Sequence, residues 1–278
     1  MTRLGLIAGG GSLPLEIAEH CRRAGRPVFV IRLRGFAEPA LAGFDGADIG
    51  LAELGKCIKT LKRAACEAVC LAGRVARPDF SKLTPDLRGL AALPAAIAAG
   101  RKGDDALLRF LVGEFEKEGF RVEGAETVMR ELSLPLGPLG RHAPTPEQLA
   151  DAERALEVAR AIGRLDIGQG AVVCDGLVLA VEAQEGTDAM LVRVAGLPGE
   201  LRGQASDRRG VLAKAPKPIQ ETRVDLPTMG LATVRGAANA GLAGIVGEAG
   251  RLLVLDRAEL VALADELGLF ILGVEPAR

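Results

Sequence analysis

Apolar runs and amphipathic stretches alternate through the first half of the chain. The runs RLGLIA, PVFVIRL and EAVCLAG have the length of buried strands, and LPLEIAEHCRRAG and ELGKCIKTLKRAA between them repeat their apolar residues at helical spacing. DDALLRFLVGEFEKEGF predicts a further helix. Strands that alternate with helices predict a parallel sheet with right-handed crossovers. We therefore expect residues 1–132 to form a Rossmann-like α/β domain.

The pattern changes between residues 133 and 146. This stretch, SLPLGPLGRHAPTP, has four prolines and no apolar periodicity, which is typical of a linker. EQLADAERALEVARAIGRL then predicts a long helix, and the Asp-Gly pair inside GQGAVVCDGLVLAVEA predicts a β-hairpin. Further helices and strands follow, so we expect residues 147–278 to form a second, mixed α/β domain that carries the catalytic residues.

Composition and charge narrow the classes of function. The chain has 278 residues, a net charge of −1, no Trp, no Tyr and 8 Phe. Nucleic acid is not an expected partner, because binding it needs a basic surface and aromatic stacking. With 2 His, and no Cys-x-x-Cys among 5 Cys, zinc is disfavoured. A metal, if used, should be a hard ion such as Mg²⁺ held by carboxylates.

The same features predict a cytoplasmic protein. The chain opens without a signal-peptide pattern, and its cysteines are expected to be reduced, buried thiols. No apolar run reaches the roughly 18–20 residues that a membrane-spanning helix needs.

A glycine-rich turn follows the first predicted strand. In GLIAGGGSLP, the backbone N–H groups of Gly10, Gly11 and Ser12 could bind a phosphate at the start of the next helix. Pro14 stands where a dinucleotide-binding fingerprint would have its third glycine. A tight turn without a ligand is the alternative.

The same turn, with two arginines at the end of the second strand, leaves an NADP-dependent oxidoreductase as one functional alternative. Arg32 and Arg34 end the second predicted strand and could hold a 2′-phosphate. After the third strand, AGRVARPDF places Arg74, Val75 and Arg77 at the edge where open parallel sheets bind ligands. Arginines there suit phosphate, and solvated loop arginines are the alternative.

Acidic residues cluster after the predicted hairpin, in VEAQEGTDAM. Glu182, Glu185 and Asp188 could together hold Mg²⁺ with substrate phosphates. Thr187 and Asp188 are also candidate contacts to the substrate. The alternative is a capped helix, with Thr187 as the cap and Asp188 in the first turn.

Two lysines and one acid stand close in the sequence VLAKAPKPIQETRVDLPTMG. Lys214 and Lys217 can neutralise a phosphate or diphosphate, and Arg223 adds a third cation. Asp225, between rigid flanks, can ligate Mg²⁺ or orient a water for attack on phosphorus. The alternative is a cap or a surface salt bridge.

These stretches together resemble the LpxI-type UDP-2,3-diacylglucosamine pyrophosphatases. GLIAGGGSLP, AGRVARPDF, LAVEAQEGTDAML, VLAKAPKPIQETRVDLPTMG and GIVGEAGRLLVLD match in order across nearly the whole chain. The resemblance implies Mg²⁺-dependent hydrolysis of UDP-2,3-diacylglucosamine to 2,3-diacylglucosamine 1-phosphate (lipid X) and UMP, in lipid A biosynthesis. It also implies water attack on the β-phosphorus, with the substrate between the two domains. A non-catalytic nucleotide or lipid carrier is a third alternative, and a homodimer is left open.

A diacylated substrate needs an apolar surface and transient contact with the inner membrane. The run GLAALPAAIAAG, residues 89–100, precedes Arg101 and Lys102. We hypothesise that Leu93 and Ile97 line a groove for the acyl chains, although short apolar runs are more often core helices.

Overall fold

The structure, a computed structural model, describes residues 1–76, 79, 83–218 and 221–277. Arg77, one of the predicted site residues, lies outside the described residues. The chain divides into two compact units. Unit 1 comprises Met1–Arg130 with Arg223–Asp225, and unit 2 comprises Glu131–Thr222 with Leu226–Arg278.

Unit 1 alternates strands and helices, as predicted. Its elements are β1 (Leu4–Ala8), α1 (Leu13–Arg23), β2 (Val28–Leu33), β3 (Gly46–Ile49), α2 (Leu54–Arg63), β4 (Ala68–Ala72), α3 (Leu87–Gly100), α4 (Asp104–Lys117), β5 (Arg121–Val122) and α5 (Ala125–Val128). The strands form one parallel sheet in the order β3-β2-β1-β4-β5. These are the first five strands of the doubly wound order 3-2-1-4-5-6, so the prediction of a Rossmann-like sheet is confirmed.

Helix α3 is not the core helix that its composition favoured. The residues of α3 that are buried are glycines, Gly89 and Gly100. Leu93 and Ile97 are half-buried, whereas Leu87 is 89% exposed and Leu90 is 57% exposed. The core interpretation is therefore wrong for this segment, and the acyl-groove hypothesis stays a prediction. In the part of the chain that the structure describes, no helix is long and apolar enough to cross a membrane.

Unit 2 mixes parallel and antiparallel strands. Its elements are β6 (Gly137–Pro138), α6 (Pro146–Arg164), β7 (Gly170–Cys174), β8 (Leu177–Val181), α7 (Gly186–Ala195), β9 (Val211–Lys214), β10 (Thr228–Met229), α8 (Leu231–Asn239), β11 (Gly244–Glu248), β12 (Leu253–Val254), α9 (Arg257–Leu267) and β13 (Phe270–Val274). One sheet has the order β6-β13-β11-β9-β7-β8, and β10 pairs with β12. Strands β9, β11 and β13 are parallel, while β7 runs antiparallel to β9 and β8.

Local sequence signals explain the main features of unit 2. Thr145 and Gln148 form a reciprocal capping box at the start of α6. Asp175 and Gly176 both have positive φ in the β7–β8 turn, as an Asp-Gly hairpin requires. The buried Asp151 carboxylate accepts hydrogen bonds from both of their amides.

The stretch predicted as a linker contributes to unit 2. Leu134 is 1% exposed and belongs to the core between the sheet and helices α7, α8 and α9. Gly137 and Pro138 form β6, which pairs antiparallel with β13. A second core, between the sheet and α6, contains Ala152, Ala155 and Ala159 of that helix.

Candidate functional site

The glycine turn of unit 1 is joined to the chain that follows β4. Gly9 donates a backbone hydrogen bond to the carbonyl of Ala72, and Gly10 and Arg74 exchange two backbone hydrogen bonds of 2.9 and 2.8 Å. A Cβ added to Gly9 would lie 2.7 Å from the carbonyl oxygen of Arg74. The close approach of the two backbones therefore explains a glycine at this position, and the Gly10 amide already has a partner.

The next two residues of the turn are held by acidic side chains. The Gly11 amide donates to Glu38 Oε1 at 3.1 Å, and the Ser12 hydroxyl donates to Glu16 Oε1 at 3.0 Å. Gly11 has a φ of +90°, which glycine adopts at low cost. A phosphate that used the Gly11 amide would therefore compete with the Glu38 carboxylate. Binding of substrate by Gly10, Gly11 and Ser12 stays a prediction.

The arginines of unit 1 differ in how far they are engaged. Arg74 and Val75 are exposed just beyond β4, at the predicted ligand edge. Arg32 binds Asp48 at 2.9 Å and lies near two backbone carbonyls, and Arg34 binds Glu53 at 2.8 Å. The two arginines that would hold a 2′-phosphate thus already have carboxylate partners.

A buried polar network lies at one end of the unit 2 sheet. Lys214, the last residue of β9, donates hydrogen bonds of 2.8 Å to the Thr187 hydroxyl and of 2.8 Å to the Thr228 carbonyl. The Thr187 hydroxyl donates to Glu182 Oε2 at 3.1 Å. Lys214, Thr187 and Glu182 are 4%, 8% and 6% exposed. Lysine and glutamate are rarely buried unless they are paired, so this buried network marks a candidate functional site in unit 2.

Helix α7 begins earlier than the capping interpretation predicted. Its N-cap is Glu185, and Thr187 lies inside the first turn. The prediction of Thr187 as the cap is therefore wrong, because its hydroxyl is used by Glu182 and Lys214 instead.

A glycine makes room for the Glu182 carboxylate. A Cβ on Gly170 would lie 2.5 Å from Glu182 Oε2, and a Cβ on Gly168 would lie 2.0 Å from the Glu182 carbonyl oxygen. Burial raises the pKa of Glu182 above its ordinary value, although the Lys214 ammonium and the Thr187 hydroxyl oppose that rise. Gly168 and Gly170, the two glycines of GQGAVV, were not predicted as part of the site, and they are the sequence signal for this close approach.

The second lysine is held by an acid that was not among the predicted site residues. Lys217 Nζ lies 2.7 Å from Asp166 Oδ1. Asp166 has a φ of +56° in the turn after α6, a conformation that aspartate tolerates better than most residues. Lys217 is therefore oriented by the turn that precedes β7.

The three acids after the hairpin have different environments. Glu182 is buried, whereas Glu185 forms a surface ion pair with Arg193, and Asp188 is exposed. The pKa of Glu185 is lowered by a hydrogen bond from the Glu185 backbone amide and by Arg193. Within the described ranges, no three His, Cys, Asp and Glu side chains form a group that could hold a metal ion. These residues do not fit a ready-made Mg²⁺ cage, although Mg²⁺ often uses only one or two carboxylates with substrate phosphates.

The segment Arg223–Asp225 is grouped with unit 1. Val224 packs against the core of unit 1, and Arg223 Nη1 lies 2.7 Å from Glu116 Oε1. Asp225 is half-buried. The tie of this segment to unit 1 was not predicted, because nothing in the sequence RVDLPTMG indicates a partner in the first half of the chain.

The cysteines do not provide a nucleophile. The five thiols are all buried. Burial raises the pKa of Cys57 to about 12 and that of Cys174 to about 11. A thiol that stays protonated at neutral pH is inert, so Cys57 and Cys174 are not candidate nucleophiles.

Comparisons with known proteins identify the family. The LpxI N-terminal domain model matches residues 3–132, and the LpxI C-terminal domain model matches residues 135–272. UDP-2,3-diacylglucosamine pyrophosphatase LpxI of Caulobacter vibrioides is 66% identical over 276 residues, which is 99% of this chain and 99% of that protein. The chain belongs to the LpxI family.

Two solved structures show a weak resemblance to the chain. CobK precorrin-6A reductase matches with a TM-score of 0.34 and 11% identity, over 100% of this chain and 91% of that one. The biotin carboxylase subunit of pyruvate carboxylase matches with a TM-score of 0.27 and 13% identity, over 62% of this chain and 35% of that one. Neither likeness supports an argument about function.

Proposed function

We propose that this chain hydrolyses the diphosphate of UDP-2,3-diacylglucosamine in lipid A synthesis and releases 2,3-diacylglucosamine 1-phosphate and UMP. The observation that carries the proposal is the 66% identity to the Caulobacter vibrioides pyrophosphatase over 99% of both chains. Membership of the family makes the chain a hydrolase. The particular substrate and products are inferred from that relative's name and from the chemistry of the site.

The polar groups described above support a diphosphate ligand. Lys214 is a buried cation at the end of a strand, held from two sides by Thr187 and Thr228. A buried ammonium in a fixed position interacts more strongly with an anion than a solvated one does. Lys217, in a position fixed by Asp166, adds a second charge of the same sign. Together they would neutralise a diphosphate better than two solvated surface lysines could.

Asp225 is the group that we assign to the chemical step. Its carboxylate would orient the attacking water or hold Mg²⁺, while Arg74 and Arg223 would contact the phosphates. Mg²⁺, when bound, would supply charge neutralisation at the diphosphate. A carboxylate with substrate oxygens is a common way to hold this ion, so one acid such as Asp225 would suffice.

Phosphorus NMR tests the proposal directly. The protein is incubated with UDP-2,3-diacylglucosamine in Mg²⁺ and, separately, in EDTA. We expect the two diphosphate resonances to be replaced by those of UMP and a sugar 1-phosphate in Mg²⁺ only. In H₂¹⁸O, attack on the β-phosphorus would place the label in the sugar phosphate, and attack on the α-phosphorus would place it in UMP. An intact diphosphate would favour the carrier, and tight NADPH binding without lipid turnover would favour the oxidoreductase.

A further inference from the structure

The hydrogen bonds around Thr187 have a fixed direction. An ammonium can only donate, so the Thr187 oxygen accepts from Lys214. A hydroxyl has one proton, and that proton goes to Glu182 Oε2, 3.1 Å away. The order of donation is therefore lysine to threonine to glutamate, and each member depends on the next.

Burial gives this order energetic weight. All three residues are less than a tenth exposed. Burying an ammonium or a carboxylate is costly unless hydrogen bonds and an opposite charge compensate. The carboxylate supplies the opposite charge, and the hydroxyl sets the place where the ammonium sits.

We propose that Thr187 is a positioning residue, which links the Glu182 carboxylate to Lys214 and so holds that lysine where it meets the diphosphate. This inference rests on the proposed function. It gives Thr187 and Glu182 roles different from those that their sequence context suggested, which were substrate binding and metal ligation. In this role, neither side chain has to touch the substrate or the metal.

Isosteric variants of Thr187 separate positioning from packing. Thr187→Val keeps the shape and removes the hydroxyl, and Thr187→Ser keeps the hydroxyl. We expect Thr187→Val to lower kcat/KM by about 10- to 100-fold, the usual effect of losing a hydrogen bond to a charged group, and Thr187→Ser to recover most of that loss. Thr233→Val is the matched control, because Thr233 is also a buried threonine of unit 2 at 6% exposure. The kcat/KM of Thr233→Val should stay within about twofold of the wild-type value, because Thr233 is not part of the network.

Coupling to Lys214 is the decisive readout. If Thr187 acts through Lys214, adding Thr187→Val to Lys214→Ala should not lower activity further. If Thr187 bound substrate itself, or only supported the fold, the two losses would multiply. UDP binding by calorimetry gives the same comparison when the turnover of the double variant is too low to measure. Multiplicative losses in turnover or in affinity would overturn the inference.

Glu182→Gln distinguishes an anchor from a metal ligand. If Glu182 is an anchor, Glu182→Gln should lower kcat/KM. The Mg²⁺ concentration for half-maximal activity should stay within about twofold of the wild-type value, because an unchanged set of metal ligands keeps its affinity. A rise in that concentration of about 10-fold or more would assign it to the metal and overturn the inference. Absence of wild-type turnover would instead overturn the proposed function, whereas a fully active Thr187→Val enzyme would overturn only the positioning role.

Discussion

Replacing Gly73 with alanine should damage the glycine turn of unit 1 in a measurable way. Gly73 has a φ of +91°, and a Cβ there would lie 2.7 Å from Pro14 Cγ and 2.8 Å from the carbonyl oxygen of Gly10. The positive φ alone costs an alanine about 1–2 kcal/mol. The contact with backbone adds about 1–3 kcal/mol, as overpacking generally does. We therefore expect Gly73→Ala to lose about 2–5 kcal/mol of unfolding free energy.

Gly119 provides a control with nearly the same backbone conformation. Its φ is +88°, and no atom lies within 4 Å of the position of an added Cβ. Gly119→Ala should therefore lose only the unfolding free energy that the positive φ costs, about 1–2 kcal/mol. Urea unfolding followed by far-UV circular dichroism measures both losses, since the chain has no Trp or Tyr for intrinsic fluorescence.

Activity gives the second half of this test. Gly73→Ala should displace the Gly10–Arg74 backbone pair and lower kcat/KM by about 10- to 100-fold, as small misplacements of binding groups do. Gly119→Ala should keep its activity within about twofold, because single surface changes away from a site have little effect. Equal stability of the two variants would refute the steric reasoning. A Gly73→Ala variant that is destabilised as expected but fully active would show that the turn does not position the substrate.

Further variants test the remaining assignments. Asp225→Asn should keep fold and substrate binding but lower kcat by about 10²–10⁴, if the carboxylate acts as a base or orients water, and near-normal turnover of UDP-2,3-diacylglucosamine would remove it from the chemistry. Leu93→Glu and Ile97→Glu should impair the diacylated substrate far more than a deacylated analogue; equal losses with a lower Tm would point to a structural role. Hydrogen bonds from Lys62 and Arg88 lower the pKa of Glu118 to about 2. A lowered pKa contributes stability above the unfolded value of about 4.3. The Tm difference between wild type and Glu118→Gln should therefore shrink as the pH falls from about 4.5 toward 2, and a constant difference would contradict this.

The fold of the first half was predictable because its strands are continuous apolar runs. A parallel sheet covered on both faces requires such runs, and β1, β2 and β4 all have them. Strand β3 was missed because its sequence, GADI, has neither the length nor the apolar content of a strand. Helix α3 was ambiguous because all its residues except Arg88 are apolar and it contains Pro94, so its exposure could not be read from periodicity.

The sequence pointed to the members of the buried network one by one, but it did not predict their arrangement. The sequence singled out Lys214, Thr187 and Glu182 separately, because each residue type suits phosphate or metal chemistry. Their contacts depend on which strands are neighbours, and that order is set by long-range pairing. The positive φ of Asp175 and Gly176, by contrast, follows from two adjacent residues and was predicted correctly as a hairpin turn.

Strand order also explains why a glycine is needed in the middle of the network. Glu182 follows β8 and Lys214 ends β9, and β7 lies between these two strands in the sheet. Neighbouring strands are about 4.8 Å apart, so the two backbones are roughly twice that distance from each other. The residue of β7 in register with Lys214 is Gly170, and a Cβ there would lie 2.5 Å from the Glu182 carboxylate. The absence of a side chain on the intervening strand thus lets the carboxylate approach Thr187 and, through its hydroxyl, the lysine.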